Sequence, residues 1–266
     1  MILFHHIPKT AGSTFHKILD NAYSADKIFS INGLDPEKSI QEFASLEQDE
    51  RNNFDVVKGH LADKLEPYIS IKPLDKIIFL RDPIEHTISS FFYLKRASWN
   101  KSYERVKKIR KLEDFINYRT REGLNDLQLR HLTGQTEFLL TGIKSDQTVD
   151  AALLEKGKQI LLEARFVFLT DYFDYSVLTL KKQLKWKYNP WYLTNNKTNN
   201  RPSKQNFSDN EIDLIKSFNR YDLELYKYAR QLFMQKYDYK SDKSLMTQVR
   251  RFRRINNLRN FLQLNS

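Results

Sequence analysis

Cysteine is absent from all 266 residues. That gap excludes disulfides, a thiolate nucleophile and cysteine-ligated zinc, and it fits a reducing compartment. Glycine and proline are sparse, at seven each, so no long flexible linker or low-complexity tract is expected. No apolar run approaches the roughly 20 residues that span a bilayer. Met1 to Phe4, followed by histidines, is too short for the apolar core of a secretory signal. A soluble, cytoplasmic protein is the expectation. What remains is an ordinary globular composition, 40% apolar and 13% aromatic, with enough chain for one sizeable core.

Acidic residues are also in the minority, and the net charge of +11 is concentrated in two places. Residues 95–111 hold Lys95, Arg96, Lys101, Arg105, Lys107, Lys108, Arg110 and Lys111 against Glu104 alone. From Lys243 onward come Arg250, Arg251, Arg253, Arg254 and Arg259, with no acidic residue. Such runs are commonly solvated faces. The alternatives are an anionic polysaccharide, an anionic membrane surface or nucleic acid. Leu245, Val249, Phe252, Ile255, Leu258 and Leu262 fall at helical spacing, which predicts an amphipathic terminal helix able to dock on the domain, a partner or a membrane interface. Residues 241–266 are therefore read as a basic extension to a single domain at 1–240.

Hydrophobic periodicity predicts strands at 2–7, 54–58, 76–80 and 165–169. Helices are expected over 13–23, 36–51, 83–97, 112–121, 124–132, 148–164, 172–185 and 208–237, with an Asn-rich loop at 187–207. Strands separated by helices imply an α/β fold, a central, mainly parallel sheet with helices on both faces.

Two segments carry chemistry. In the first, a short apolar strand enters the turn Pro8-Lys9-Thr10-Ala11-Gly12-Ser13-Thr14 and then a helix. Small residues let backbone N–H groups point at an anion, and the helix dipole favours negative charge at the same place. A nucleotide triphosphatase loop would read G-x-x-x-x-G-K-[ST], but Ser13 stands where that lysine belongs and the lysine lies ahead, at Lys9. In the second, the strand Asp75 to Leu80 ends in Arg81-Asp82-Pro83, with a helix starting at Pro83. Arg81 then sits at a carboxyl end, where open α/β sheets bind ligands, and Ser89 lies two turns along that helix. A guanidinium plus a hydroxyl suits a second phosphate. A strand-end ion pair between Arg81 and Asp82 is the plainer alternative.

Together these segments resemble the membrane-type carbohydrate sulfotransferases, the family that includes heparan sulfate 2-O-sulfotransferase. His6 to Thr14 looks like that family's 5′-phosphosulfate loop. Phe79-Leu80-Arg81-Asp82-Pro83 with Ser89, Ser90 and Tyr93 looks like its 3′-phosphate segment, and Asn125 to Gly134, Phe168 to Asp171 and Asn219 to Tyr226 are similar to further blocks. The resemblance spans roughly residues 1–236 and implies a P-loop-like three-layer fold. It also implies 3′-phosphoadenosine 5′-phosphosulfate as donor and a hydroxyl or amine acceptor; no metal is demanded, because a lysine and a helix dipole can stabilise the leaving group. The animal relatives are Golgi proteins with an anchor and a stem; Met1 here leads straight into the first strand, so a soluble, bacterial-type member is expected.

On this reading Lys9 meets the bridging oxygen where charge develops, while Thr10, Ala11, Gly12, Ser13 and Thr14 bind the 5′-phosphate. Arg81 and Ser89 hold the 3′-phosphate. The base is assigned to His60, at the carboxyl end of its strand and supported by the resemblance, with Asp63 as an outside candidate. His6 is expected to shape the loop and His86 to be packed or exposed. Arg130 and Arg201 are candidates for the acceptor, and Lys197 and Asn200 for loop closure over the nucleotide. The acceptor is expected to be a carbohydrate, an anionic one included, with no nucleic-acid partner. Two rival readings stand beside this: a P-loop kinase or nucleotide hydrolase, and a non-catalytic basic adaptor.

Overall fold

The computed structural model describes residues 1–70, 73–135, 148–193, 202–237 and 242–264. Two compact units divide the chain. The first is Met1–Leu80, Leu162–Asn196 and Ala229–Ser266; the second is Arg81–Leu161 and Lys197–Tyr228.

The first unit is organised by β1 (Ile2–His5), buried along its whole length. A strand buried on both faces belongs in the middle of a sheet, and β1 has parallel partners on both sides. These are β3 (Val56–Gly59), with His5 opposite Gly59, and β4 (Asp75–Leu80), with His5 opposite Ile78. β2 (Ile28–Ser30) and β5 (Phe166–Leu169) complete an all-parallel sheet of order β2-β3-β1-β4-β5. All four strands read from the sequence lie within about two residues of their expected bounds. The fifth, β2, is too short at three residues for a period-2 pattern to declare itself.

The pleat sends alternate side chains to opposite faces. Phe4, on one face, packs edge-on against Phe15 of α1 (Gly12–Ala22) and against Phe79. Phe79 continues that cluster to Phe168 and to Phe173 of α9 (Phe173–Gln183; labels run in chain order over the described helices). Leu3 and Val57, on the other face, join Phe43 of α2 (Pro36–Ser45) and Leu65 of the 3-10 segment Ala62–Tyr68. Phe4, Phe15, Phe79 and Phe168 have no exposed surface, and burying rings of this size stabilises by about 1.5–3 kcal/mol each. The expected helix over 36–51 is two: α2 ends at Leu46, in extended conformation, and α3 (Gln48–Asn52) restarts behind its own capping box.

The terminal helix, α12 (Lys243–Leu264), packs through Leu245, Val249 and Phe252. Arg253 reaches Asp174 at 2.7 Å, and Asn256 accepts the Tyr192 N–H at 3.1 Å. Ile255, Leu258 and Leu262 do not join this inward face, because it turns through Asn256 instead.

The second unit is helical. α4 (Pro83–Leu94), α5 (Tyr103–Val106), α6 (Leu112–Arg121) and α10 (Asp209–Phe218) share a core of Ile88, Phe91, Phe115, Ile116 and Ile215. α8 (Ala151–Glu163) meets α7 (Leu127–Leu132) at Gly157, where a Cβ would come within 2.5 Å of Leu129. The long helix expected over 208–237 breaks at Asn219. Its buried amide donates to Thr87 Oγ1 at 2.9 Å and to the Ile215 carbonyl, and α11 (Arg220–Lys236) begins next.

α7 and α11 cap each other. Asp126 accepts the N–H groups of Tyr221 and Asp222 at 2.8 and 2.9 Å; Asp222 accepts those of Gln128 and Leu129 at 3.1 and 2.7 Å. Burial and the neighbouring Asp126 charge push the Asp222 carboxyl above the usual range, and burial raises Asp126 as well. Asp222→Ala would orphan two buried donors, so urea unfolding is expected to register a loss of about 2–4 kcal/mol, with Asp222→Asn intermediate. An alanine variant as stable as the parent would contradict this reciprocal clamp.

Candidate active site

The chain leaves β1, β3 and β4 at one edge of the sheet, and the first unit places a compact set of groups there. β1 runs into a loop whose backbone is left-handed at Lys9 (φ 65°) and at Ala11 (φ 66°). Left-handed backbone at non-glycine residues costs roughly 1 kcal/mol or more each, so surrounding structure must impose it. One restraint is visible: Thr10, 1% exposed, donates its hydroxyl to the Ile7 carbonyl at 2.7 Å. The hydroxyl of Thr10 thus ties the loop together, and its backbone N–H is what it can offer a ligand. Among the described residues α1 has neither a side-chain cap nor an acidic residue in its first turn. Its positive end is therefore not neutralised locally. Ser13 is exposed, and Lys9 and Thr14 are half-buried.

Gly12 is small for a reason the sequence does not state. A Cβ there would overlap the His6 ring, with its nearest atoms at 1.8 Å. His6 lies directly over the start of α1 and gathers two more histidines. Its ring stacks on His60 at 4.1 Å between centroids, and its Nδ1 lies 3.1 Å from His16 Nε2. On the sheet's other face His5 Nε2 lies 3.6 Å from an Asp63 carboxylate oxygen. Four of the six histidines thus come together. No group of three or more His, Asp or Glu among the described residues is arranged to hold a metal ion.

The tautomer of His60 follows from one contact. Its Nδ1 lies 2.6 Å from the His6 carbonyl oxygen, which can only accept, so Nδ1 carries the proton and Nε2 is the basic nitrogen. Gly59 precedes His60 with φ 146°, and a Cβ there would meet Ile31 at 2.8 Å, so this strand-end position calls for glycine. Burial lowers the His60 pKa from 6.5; the contact with the His6 carbonyl opposes this, and His5 adds to the lowering. Lys58, 2% exposed, pairs with Asp20 and donates to the His16 carbonyl at 3.3 Å.

His16 is driven furthest, to about 4, first by burial, then by the Lys58 and His60 charges, with Asp20 opposing. Unfolded, the same histidine takes up a proton near pH 6.5, so its contribution to stability is complete above that pH and is lost on acidification toward 4. Roughly 2 kcal/mol should disappear between pH 7.5 and pH 5. Urea midpoints at the two pH values check this, and His16→Asn should flatten the difference. An equal drop in both proteins would contradict it.

In the second unit Arg81 follows directly on β4. Its backbone is gripped on both sides by the side-chain amide of Gln128, which accepts the Arg81 N–H and donates to the Arg81 carbonyl, each at 2.9 Å. Gln128 in turn is fixed by the α7 cap on Asp222. The guanidinium lies 3.5 Å from Glu85 and is about one-fifth exposed. Asp82 serves as the N-cap of α4, accepting from Ile84 and Glu85 at 3.0 and 3.1 Å, with Pro83 in the first turn as expected. Ser89 is half-buried on α4, and His86 is buried.

Arg130 is 2% exposed and donates to Asn125 and Gln135. That geometry braces the start of α7 and is not the open guanidinium expected of an acceptor contact. Arg201, Lys197 and Asn200 lie outside the described residues. Sequence reasoning missed His16, the Lys58–Asp20 pair and Gln128, each of which acts across more than 35 residues of chain or through a ring stack. The run His5-His6 was the one available signal.

A parallel α/β sheet with an uncapped helix start beside a lysine at its carboxyl edge is an arrangement that suits a phosphate-like group. The sequence model of the sulfotransferase family matches residues 1–229, and the chain belongs to that family. No curated protein matches the chain. Membership makes it a transferase of the sulfuryl-transfer class, and the expected α/β fold is present, with the sheet entirely parallel.

Proposed function

We propose that the protein moves a sulfuryl group from 3′-phosphoadenosine 5′-phosphosulfate to a carbohydrate hydroxyl by in-line displacement. The observation that carries this reading is the bare start of α1 immediately behind Lys9 in a chain of this family. The backbone N–H groups of Ala11 to Thr14 suit the 5′-phosphate. Lys9 supplies positive charge to the bridging oxygen as the S–O bond breaks and the bisphosphate leaves. His60 Nε2 takes the acceptor proton as the new O–S bond forms. Arg81, with Ser89, holds the 3′-phosphate. A carbohydrate acceptor is favoured by the family resemblance and by the basic surface, which also suits an anionic polymer.

Calorimetric titration tests the donor. Adenosine 3′,5′-bisphosphate should bind more tightly than ATP with magnesium, and the reverse preference would favour a kinase or hydrolase. Arg81→Ala should weaken the bisphosphate about 30-fold, close to 2 kcal/mol. Unchanged affinity would remove Arg81 from the site. Labelled donor offered to a panel of polysaccharides then identifies the acceptor.

A further inference from the structure

α12 is apolar on two sides, and the protein fills only one of them. Leu245, Val249 and Phe252 are buried, whereas Ile255, Leu258, Phe261 and Leu262 are 41–64% exposed. These four are half of the eight large apolar side chains that stand exposed in the described chain, so the exposure is clustered and not scattered. Ile255, Leu258 and Leu262 follow i, i+3, i+7 spacing and form one stripe, with Phe261 at its border.

The same outward arc carries Arg251 and Arg254, with Arg250 next to it. All three are exposed, and none has an ion-pair partner among the described residues. The remaining two arginines are used to hold the helix down: Arg253 reaches Asp174, and Arg259 lies over the Trp191 ring at 4.9 Å. No acidic residue occurs anywhere in α12. A firmly anchored helix thus presents apolar side chains and uncompensated positive charge side by side. No described helix is long and apolar enough to cross a membrane, so the geometry is that of contact along a surface.

We propose that this arc of α12 docks the protein on an anionic lipid surface, with the arginines at the headgroup phosphates and Leu258, Phe261 and Leu262 inserted at the acyl boundary. An anionic polymer would satisfy the arginines and leave the apolar stripe in water. A second copy of this chain would cover the stripe but bring a second set of arginines against the first. An anionic bilayer satisfies both features at once. This inference is independent of the transfer reaction.

Co-sedimentation of the full-length protein with vesicles tests it. Phosphatidylcholine vesicles containing phosphatidylglycerol should bind the protein at least tenfold more tightly than phosphatidylcholine alone, and added salt should weaken the binding. R251E/R254E should reduce binding to anionic vesicles by at least about 25-fold, at roughly fivefold per charge removed. L258S/F261S should reduce it tenfold or more while leaving a salt-sensitive remainder. All four positions are exposed, so thermal unfolding of both variants should match the parent. Equal binding to neutral and anionic vesicles, or no effect of either pair, would overturn the proposal. So would a change in self-association in L258S/F261S, measured by sedimentation equilibrium, with vesicle binding intact; that result assigns the stripe to a second copy. Binding to heparin or RNA with none to vesicles would overturn it in favour of a polymer partner.

Discussion

Replacing His60 with alanine should lower kcat for sulfuryl transfer by about 10²- to 10⁴-fold, the usual range for removing a general base, with affinity for adenosine 3′,5′-bisphosphate nearly unchanged. The expectation rests on a proton whose location is fixed. The His6 carbonyl holds it on Nδ1 at 2.6 Å, so Nε2 is the nitrogen that carries no proton. Burial lowers the pKa of His60 from 6.5, so the unprotonated, active form persists below that pH. The acid limb of kcat against pH should therefore lie below pH 6.5 in the parent and vanish in His60→Ala. An acid limb above pH 7, or a loss smaller than fivefold, would assign the proton to another group. His16, which meets the same His6 ring edge-on and also has a lowered pKa, is the control. It lies against Lys58 and His6, so His16→Asn should alter stability against pH more than it alters kcat.

The second large effect is expected at Lys9. Losing a cation at a developing negative charge costs about 2.7–4 kcal/mol, a factor of 10² to 10³ in kcat. Alanine alone is an ambiguous probe, because Lys9 sits at φ 65° and the substitution also changes a strained backbone position. Asparagine tolerates the left-handed region better than most residues and carries no charge, so Lys9→Asn separates the two effects. If the cation stabilises the leaving group, Lys9→Asn and Lys9→Ala should fall together in kcat, and Lys9→Arg should recover part of the rate. Full activity in Lys9→Asn would sink the role of the charge and leave Lys9 as a shaping residue of the loop.

Both predictions use residues visible in the sequence, but their surroundings were legible to very different degrees. Strand-turn-helix segments are local: the apolar run Ile2 to Phe4, the turn at Lys9 to Gly12 and the start at Pro83 follow from side-chain period and backbone preference over a dozen residues. The break at Asn219 was not legible. It depends on an amide that reaches Thr87, 132 residues away. The outward turn of Ile255, Leu258 and Leu262 was equally hidden. Helical spacing alone cannot say which of two apolar faces a neighbour will cover.

By itself, the sequence determined the alternation of strands and helices, the absence of thiol chemistry, and the two strand-to-helix turns that carry Lys9 and Arg81. Only the tertiary structure decided that Gly12 must be small because the His6 ring lies on it, which nitrogen of His60 is basic, and that Gln128 fixes the backbone of Arg81. The physical reason is range. Backbone period and turn chemistry act between near neighbours in the chain, whereas ring stacks, tautomers and side-chain-to-backbone clamps are set by groups that meet only after the sheet has been assembled.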